Sequence, residues 1–131
     1  MSSSKSSVRT PLGRVRGLGS ARAGTGDFWR QRLTGVAMVL LIVPAIIIVM
    51  MMLRSNHATA TQTLGSTPVA IVLILFTIAS VLHMKIGMQV VIEDYVHDER
   101  LKLVSIIGNI FFSVAVALSA IYAILKLSWG V

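Results

Sequence analysis

Two stretches of this chain carry no charge over lengths that only one environment favours. Leu33 to Leu53 is 21 residues without a charge, and Leu103 to Leu125 is 23. Between them a third apolar run starts at the Thr67–Pro68 turn, reaches Met84, and continues across Lys85 to Ile92. A bilayer core is crossed by about 20 helical residues. Backbone groups in hydrocarbon must be satisfied within their own segment, so such runs cross as helices. The expected fold is an all-α membrane protein with three transmembrane helices, at about 29–54, 67–94 and 102–127. Of the 131 residues 55% are hydrophobic and 13% charged, against roughly 25% charged in a soluble domain. A soluble fold of this size has no interior large enough for that much apolar surface. Residues 27–131 are read as one membrane anchor domain, and 1–26 as a basic, extended N-terminal arm. No internal repeat is visible.

The net charge of +7 suggests nucleic acid until the charges are located. Seven of the twelve basic residues precede position 33, with only Asp27 opposing them. The 55–66 loop carries no Lys or Arg, and the 93–102 loop carries two. Positive charge stays on the cytoplasmic side. The N-terminus and the 93–102 loop are therefore expected inside, the 55–66 loop and the C-terminus outside. Residues 1–26 are rich in Ser, Gly and Arg and contain no acidic residue. They read as an arm lying on anionic headgroups, with a mitochondrial transit peptide as the alternative. The bacterial inner membrane is the expected location, and the mitochondrial inner membrane the second choice. No fold remains to carry a nucleic-acid function. The absence of cysteine removes disulfides, thiolate metal sites, cysteine nucleophiles and self-ligated iron–sulfur clusters. A redox centre must hang on histidine or belong to a partner.

Ionisable residues at bilayer depth are costly and are functional candidates by default. His83 stands eleven residues before Asp94, roughly 16 Å along a helix, so it falls near mid-membrane if Asp94 lies at the interface. Eleven steps of about 100° bring Asp94 back to within about 20° of His83, and Gly87 to within about 40°. The three form one stripe, with a gap free of side chain beside the imidazole. A flat macrocycle bound by histidine needs such a gap, and histidine is an ordinary haem axial ligand. The competing reading is a neutral imidazole hydrogen-bonded across a helix interface, with Gly87 serving close packing.

Asp94 and Tyr95 sit where hydrocarbon gives way to headgroups. A phenol beside a carboxylate can bind a quinone carbonyl and supply protons for its reduction; the competing reading is a solvated loop. Arg32 can reach an anionic group such as a haem propionate at the membrane edge, or can simply anchor the helix, as Arg30 does. Phe28 and Trp29 fit the aromatic belt. Lys85 lies roughly 200° round the helix from His83 and has no evident partner. His57 and His97 are expected in water, Met50 to Met52 against lipid, and Ser105, Asn109 and Ser113 in helix packing.

The string His83-Met84-Lys85-Ile86-Gly87-Met88-Gln89-Val90-Val91-Ile92-Glu93-Asp94-Tyr95 resembles the second transmembrane helix of the smaller hydrophobic membrane anchor of respiratory succinate dehydrogenase. Asp27-Phe28 and Arg32-Leu33-Thr34 are similar to the start of that family's first helix. The resemblance implies a complex with a flavoprotein subunit carrying FAD, an iron–sulfur subunit and a second cytochrome b-type anchor. In such a complex the two anchors share one b-type haem. It further implies that His83 is the axial ligand of the haem iron, with Gly87 beside the haem and Arg32 near a propionate. Tyr95 would bind ubiquinone, with Asp94 in the proton path. Lys85 and Gln89 stand where some relatives carry tryptophan, a departure at the haem edge that leaves the ligand position intact. The expected role is electron transfer from succinate to quinone in the respiratory chain and tricarboxylic acid cycle, with no succinate chemistry on this chain. The alternatives are a fumarate reductase-type anchor, and a non-redox membrane protein such as a transporter subunit or holin-like pore former.

Overall fold

The computed structural model describes residues 23–129, together with Leu12 and Val15 ahead of them. The arm expected over 1–26 falls for the most part outside the described residues. Four α-helices run in order: α1 Ala23–Leu53, α2 His57–Gly65, α3 Thr67–Tyr95 and α4 Glu99–Trp129. There is no strand among the described residues. Helices α1, α3 and α4 are each long and apolar enough to cross a membrane. The all-α, three-span architecture is as the charge-free runs require.

Helix α1 starts six residues ahead of Trp29, where the sequence places it, and local pairs account for the extension. Asp27 meets Arg30 one turn on at 3.6 Å, and the Arg32 guanidinium lies 4.2 Å above the Phe28 ring. Neighbours three and four apart support a helix in this way. The expected loop at 55–66 instead contains α2. Asn56 is its N-cap and accepts from the Thr59 N–H at 2.9 Å, satisfying a donor that the helix start would leave free. Gly65 closes α2 hard against the end of α4, where a Cβ would stand 2.7 Å from the Leu127 carbonyl oxygen.

Helix α3 opens with Pro68 in its first turn, where a missing N–H costs nothing. It ends at Tyr95, and the turn to α4 is fixed by Asp98. Its carboxylate accepts from the Leu101 N–H at 2.8 Å, while the Lys102 ammonium donates to the Glu93 carbonyl at 3.1 Å. Glu99 and Lys126 occupy the first and last turns of α4, complementing its dipole. Helix α3 is the centre of the fold, packed on α1 to one side and on α4 to the other. The buried residues are mostly small or β-branched: Ala45, Ile48, Ala70, Ala79, Ile86, Ile92 and Ser113. Small side chains let helix backbones approach where lipid supplies no hydrophobic drive. Large apolar side chains such as Leu40, Ile47, Phe111 and Leu118 point outward, as a hydrocarbon surround permits.

Candidate functional site

The α1–α3 seam is where polar side chains of different helices meet. His83 is half-buried on α3, twelve residues before the end of the helix at Tyr95, roughly 18 Å along its axis. Its Nδ1 is 3.2 Å from the Thr34 hydroxyl, and its Nε2 is 3.4 Å from the amide nitrogen of Gln31. Thr34 is itself buried, and its hydroxyl reaches the carbonyl oxygens of Arg30 at 2.8 Å and Gln31 at 3.1 Å. A Cβ on Gly35 would stand 3.4 Å from Cε1 of His83, and one on Gly87 3.4 Å from the Gln31 amide. Each glycine thus faces a polar side chain of the other helix across the seam. Gln31, Thr34 and Gly35 share one face of α1 through their i, i+3, i+4 spacing.

Towards the end of the seam formed by the start of α1 and the end of α3, a cleft of about 390 Å³ opens between them, lined by Asp27, Gln31, Arg32, Gln89 and Glu93 among others. A neighbouring cleft of about 310 Å³ is lined by Asp27, Arg30, Thr34 and Lys85. Lys85 thus shares a cleft with Thr34, the partner of His83. Its backbone carbonyl accepts from the Asn109 amide at 2.9 Å, so Asn109 ties α4 to α3.

The sequence-derived stripe divides on the structure. His83 and Gly87 both face α1, whereas Asp94 and Tyr95 are exposed at the end of α3. Arg32 is exposed as well, above Phe28, and lines the larger cleft. Neither Asp94 nor Tyr95 is among that cleft's lining residues. Gln31 and Gly35 had no place in the sequence reading, and Thr34 entered it only as part of a motif. Their i, i+3, i+4 spacing puts them on one face, but no sequence signal turns that face towards His83. Among the described residues no group of three or more His, Asp or Glu is placed to hold a metal ion.

The succinate dehydrogenase/fumarate reductase transmembrane subunit family matches residues 6–117. The chain belongs to that family. It is similar to the succinate dehydrogenase hydrophobic membrane anchor subunit of Paracoccus denitrificans, 29% identical over 121 residues, covering 92% of this chain and 93% of that protein. The protein of the same description from Rickettsia bellii (strain RML369-C) is 28% identical over 116 residues, 88% of this chain and 93% of that protein. No solved structure matches. The family match takes in α1, α2, α3 and the first half of α4, and so includes both glycines and His83.

Proposed function

We propose that this chain is a hydrophobic anchor of a succinate:ubiquinone oxidoreductase that gives one axial ligand, His83, to a b-type haem shared with a second anchor, and lines the quinone site. The observation that carries the reading is the imidazole of His83 at mid-span in a glycine-lined cradle. Its Nε2 lies 3.4 Å from the amide nitrogen of Gln31, whose Oε1 is buried with no hydrogen-bond partner among the described residues. An apolar seam built for packing alone has no need of a histidine, a glutamine with an orphaned oxygen and two facing glycines at one level. The donor set fits the group: one imidazole nitrogen, beside an apolar cleft of about 360 Å³ lined by Gly35, Met38, Val39 and Ile42.

The haem, when bound, supplies a one-electron centre between the iron–sulfur subunit and the quinone. His83 holds it from the α3 side, and Gly87 leaves room next to the ligand. Arg32, at the membrane edge, is placed to meet an anionic propionate. Tyr95, 76% exposed at the end of α3, donates its phenol proton to a quinone carbonyl. Asp94 beside it passes protons from water. This exposed end of α3, the start of α1 and the start of α4 form the cytoplasmic side, where the flavoprotein and the iron–sulfur subunit dock. The C-terminus and α2 lie at the opposite face, in a bacterial inner membrane. Both relatives described above carry the succinate dehydrogenase name, which favours succinate oxidation over the fumarate reductase direction.

The test is a dithionite-reduced minus oxidised optical spectrum of the native complex, with and without His83→Ala. A b-type signal that the substitution removes or shifts supports the reading. A complex with an unaltered signal in His83→Ala, or with no haem at all, refutes the ligand assignment.

A further inference from the structure

We infer that Thr34 is the positioning residue of His83: it accepts a hydrogen bond from Nδ1–H and so presents the Nε2 lone pair to iron. The inference rests on the haem reading above and assigns a role to a residue outside the ligand motif.

A threonine hydroxyl has one proton to give and lone pairs to accept with. The Thr34 hydroxyl is 2.8 Å from the Arg30 carbonyl and 3.2 Å from His83 Nδ1. A carbonyl oxygen cannot donate, so the shorter contact consumes the hydroxyl proton. This back-bond to the preceding turn is common for threonine inside helices. What remains towards His83 is a lone pair, and the partner it requires is Nδ1–H. A neutral imidazole protonated at Nδ1 carries its lone pair on Nε2. The other side of the ring agrees: Nε2 faces the Gln31 amide nitrogen at 3.4 Å, and an amide nitrogen only donates. Turning the Gln31 amide round would put an acceptor against Nε2. Thr34 would then have to withdraw its proton from the 2.8 Å bond and spend it on the 3.2 Å one.

Three features make the arrangement suited to holding a ligand. Thr34 is buried, 9% exposed, so water does not compete for its lone pair. Gly35, the next residue, faces the imidazole edge, where a Cβ would stand 3.4 Å from Cε1. The 3.4 Å contact with Gln31 is long for a hydrogen bond, and the orphaned Gln31 Oε1 leaves the amide little held. Gln31 can therefore turn off Nε2 while Thr34 keeps the other nitrogen. Metal-bound histidines ordinarily donate their second N–H to such an acceptor, and loss of that acceptor costs about 10–100-fold in metal affinity.

The test uses the intact complex carrying Thr34→Val, which keeps the shape and removes the acceptor, beside Thr34→Ser and His83→Ala. Haem retention is followed by transfer to an excess of an apo-haem-binding protein, and the midpoint potential by optical titration. For Thr34→Val the haem affinity falls about 10–100-fold and the potential rises, because a less basic imidazole favours the ferric state less. Thr34→Ser restores both. Thr34→Val with wild-type retention and potential, while His83→Ala loses the haem, overturns the role of Thr34 and leaves the ligand assignment standing. An unaltered spectrum in His83→Ala overturns both. Should Thr34→Val fail to assemble, Thr34→Cys takes its place, with a sulfur that accepts weakly. A potential above that of wild type supports the role, and a wild-type potential overturns it.

Discussion

The two seams of α3 handle polar groups in opposite ways. Against α1, side chains from both helices meet: Thr34 and Gln31 engage the two ring nitrogens of His83. Against α4, the polar ties run from side chains to backbone carbonyls, Asn109 to Lys85 and Lys102 to Glu93, while Ser113 is 2% exposed with no partner for its hydroxyl among the described residues. A helix carbonyl keeps a spare lone pair after its own i→i−4 bond, so Asn109 fastens two helices and changes nothing else. His83 is different, because one nitrogen of a neutral imidazole carries a lone pair that a metal can take. Polar residues inside a membrane helix are thus no single class. One seam holds a group with chemistry to offer, and the other holds groups that lock.

The largest expected effect lies at the end of α3. Tyr95→Phe removes a phenol proton and little volume. Proton transfer from a positioned side chain contributes typically about 10²–10⁴-fold, so quinone reduction falls by at least about 10²-fold. Succinate oxidation through an artificial dye stays near wild type, because that route does not reach the quinone. Equal loss of both rates would mean that Tyr95 serves assembly.

A smaller effect is expected where α2 meets α4. Gly65→Ala puts a Cβ 2.7 Å from the Leu127 carbonyl oxygen, which is backbone and cannot swing aside. Overpacking costs about 1–3 kcal/mol, of which up to about 1 kcal/mol is returned by the better helix propensity of alanine. The complex should melt at a lower temperature in detergent with its haem spectrum unchanged. A shifted spectrum with unchanged melting would show that the two ends of the bundle are coupled.

The spans were legible because charge is excluded from hydrocarbon, so Arg32, Arg54, Lys102 and Lys126 mark their limits directly. Helix α2 was not. His57 to Gly65 has no apolar stripe, and its one signal was Asn56 followed by a threonine-rich run. The stripe of His83 and Gly87 was legible from rotation about a single helix. Its counterpart of Gln31, Thr34 and Gly35 was not, because α1 is apolar on nearly all sides and periodicity then gives no direction to the neighbour. Helix-to-helix register is a tertiary fact. The angle between Lys85 and His83 shows the limit: rotation about a single helix could not reveal that Lys85 flanks the cleft beside Asp27, Arg30 and Thr34.

Asn109→Ala sharpens the contrast further. It deletes the bond to the Lys85 carbonyl and leaves that carbonyl with its own helical partner, so nothing buried is orphaned. Interhelical hydrogen bonds in membranes average about 0.6 kcal/mol and reach about 1.7, and the loss in stability should fall in that range. The midpoint potential should not move. A potential shift would place the α3–α4 seam in the redox site.

The smallest effect is the most diagnostic, because it repeats the Thr34→Val deletion on the other seam. Ser113→Ala removes a hydroxyl that is buried at 2% exposure and unpaired among the described residues. Leaving a buried polar group unsatisfied costs about 1–3 kcal/mol in water-soluble proteins. That figure is measured against full hydration, which a chain unfolded within hydrocarbon does not have, so the gain on removing the hydroxyl is smaller here. The oxygen's departure also leaves a small void. The balance is a stability change within about 0.5 kcal/mol of zero, with the sign towards stabilisation. Haem retention should be untouched. If Ser113→Ala and Thr34→Val weakened haem retention alike, both hydroxyls would act through packing and the Thr34 lone pair would have no special role. If only Thr34→Val does so, what separates the seams is the proton on His83 Nδ1, not the polarity of the residues.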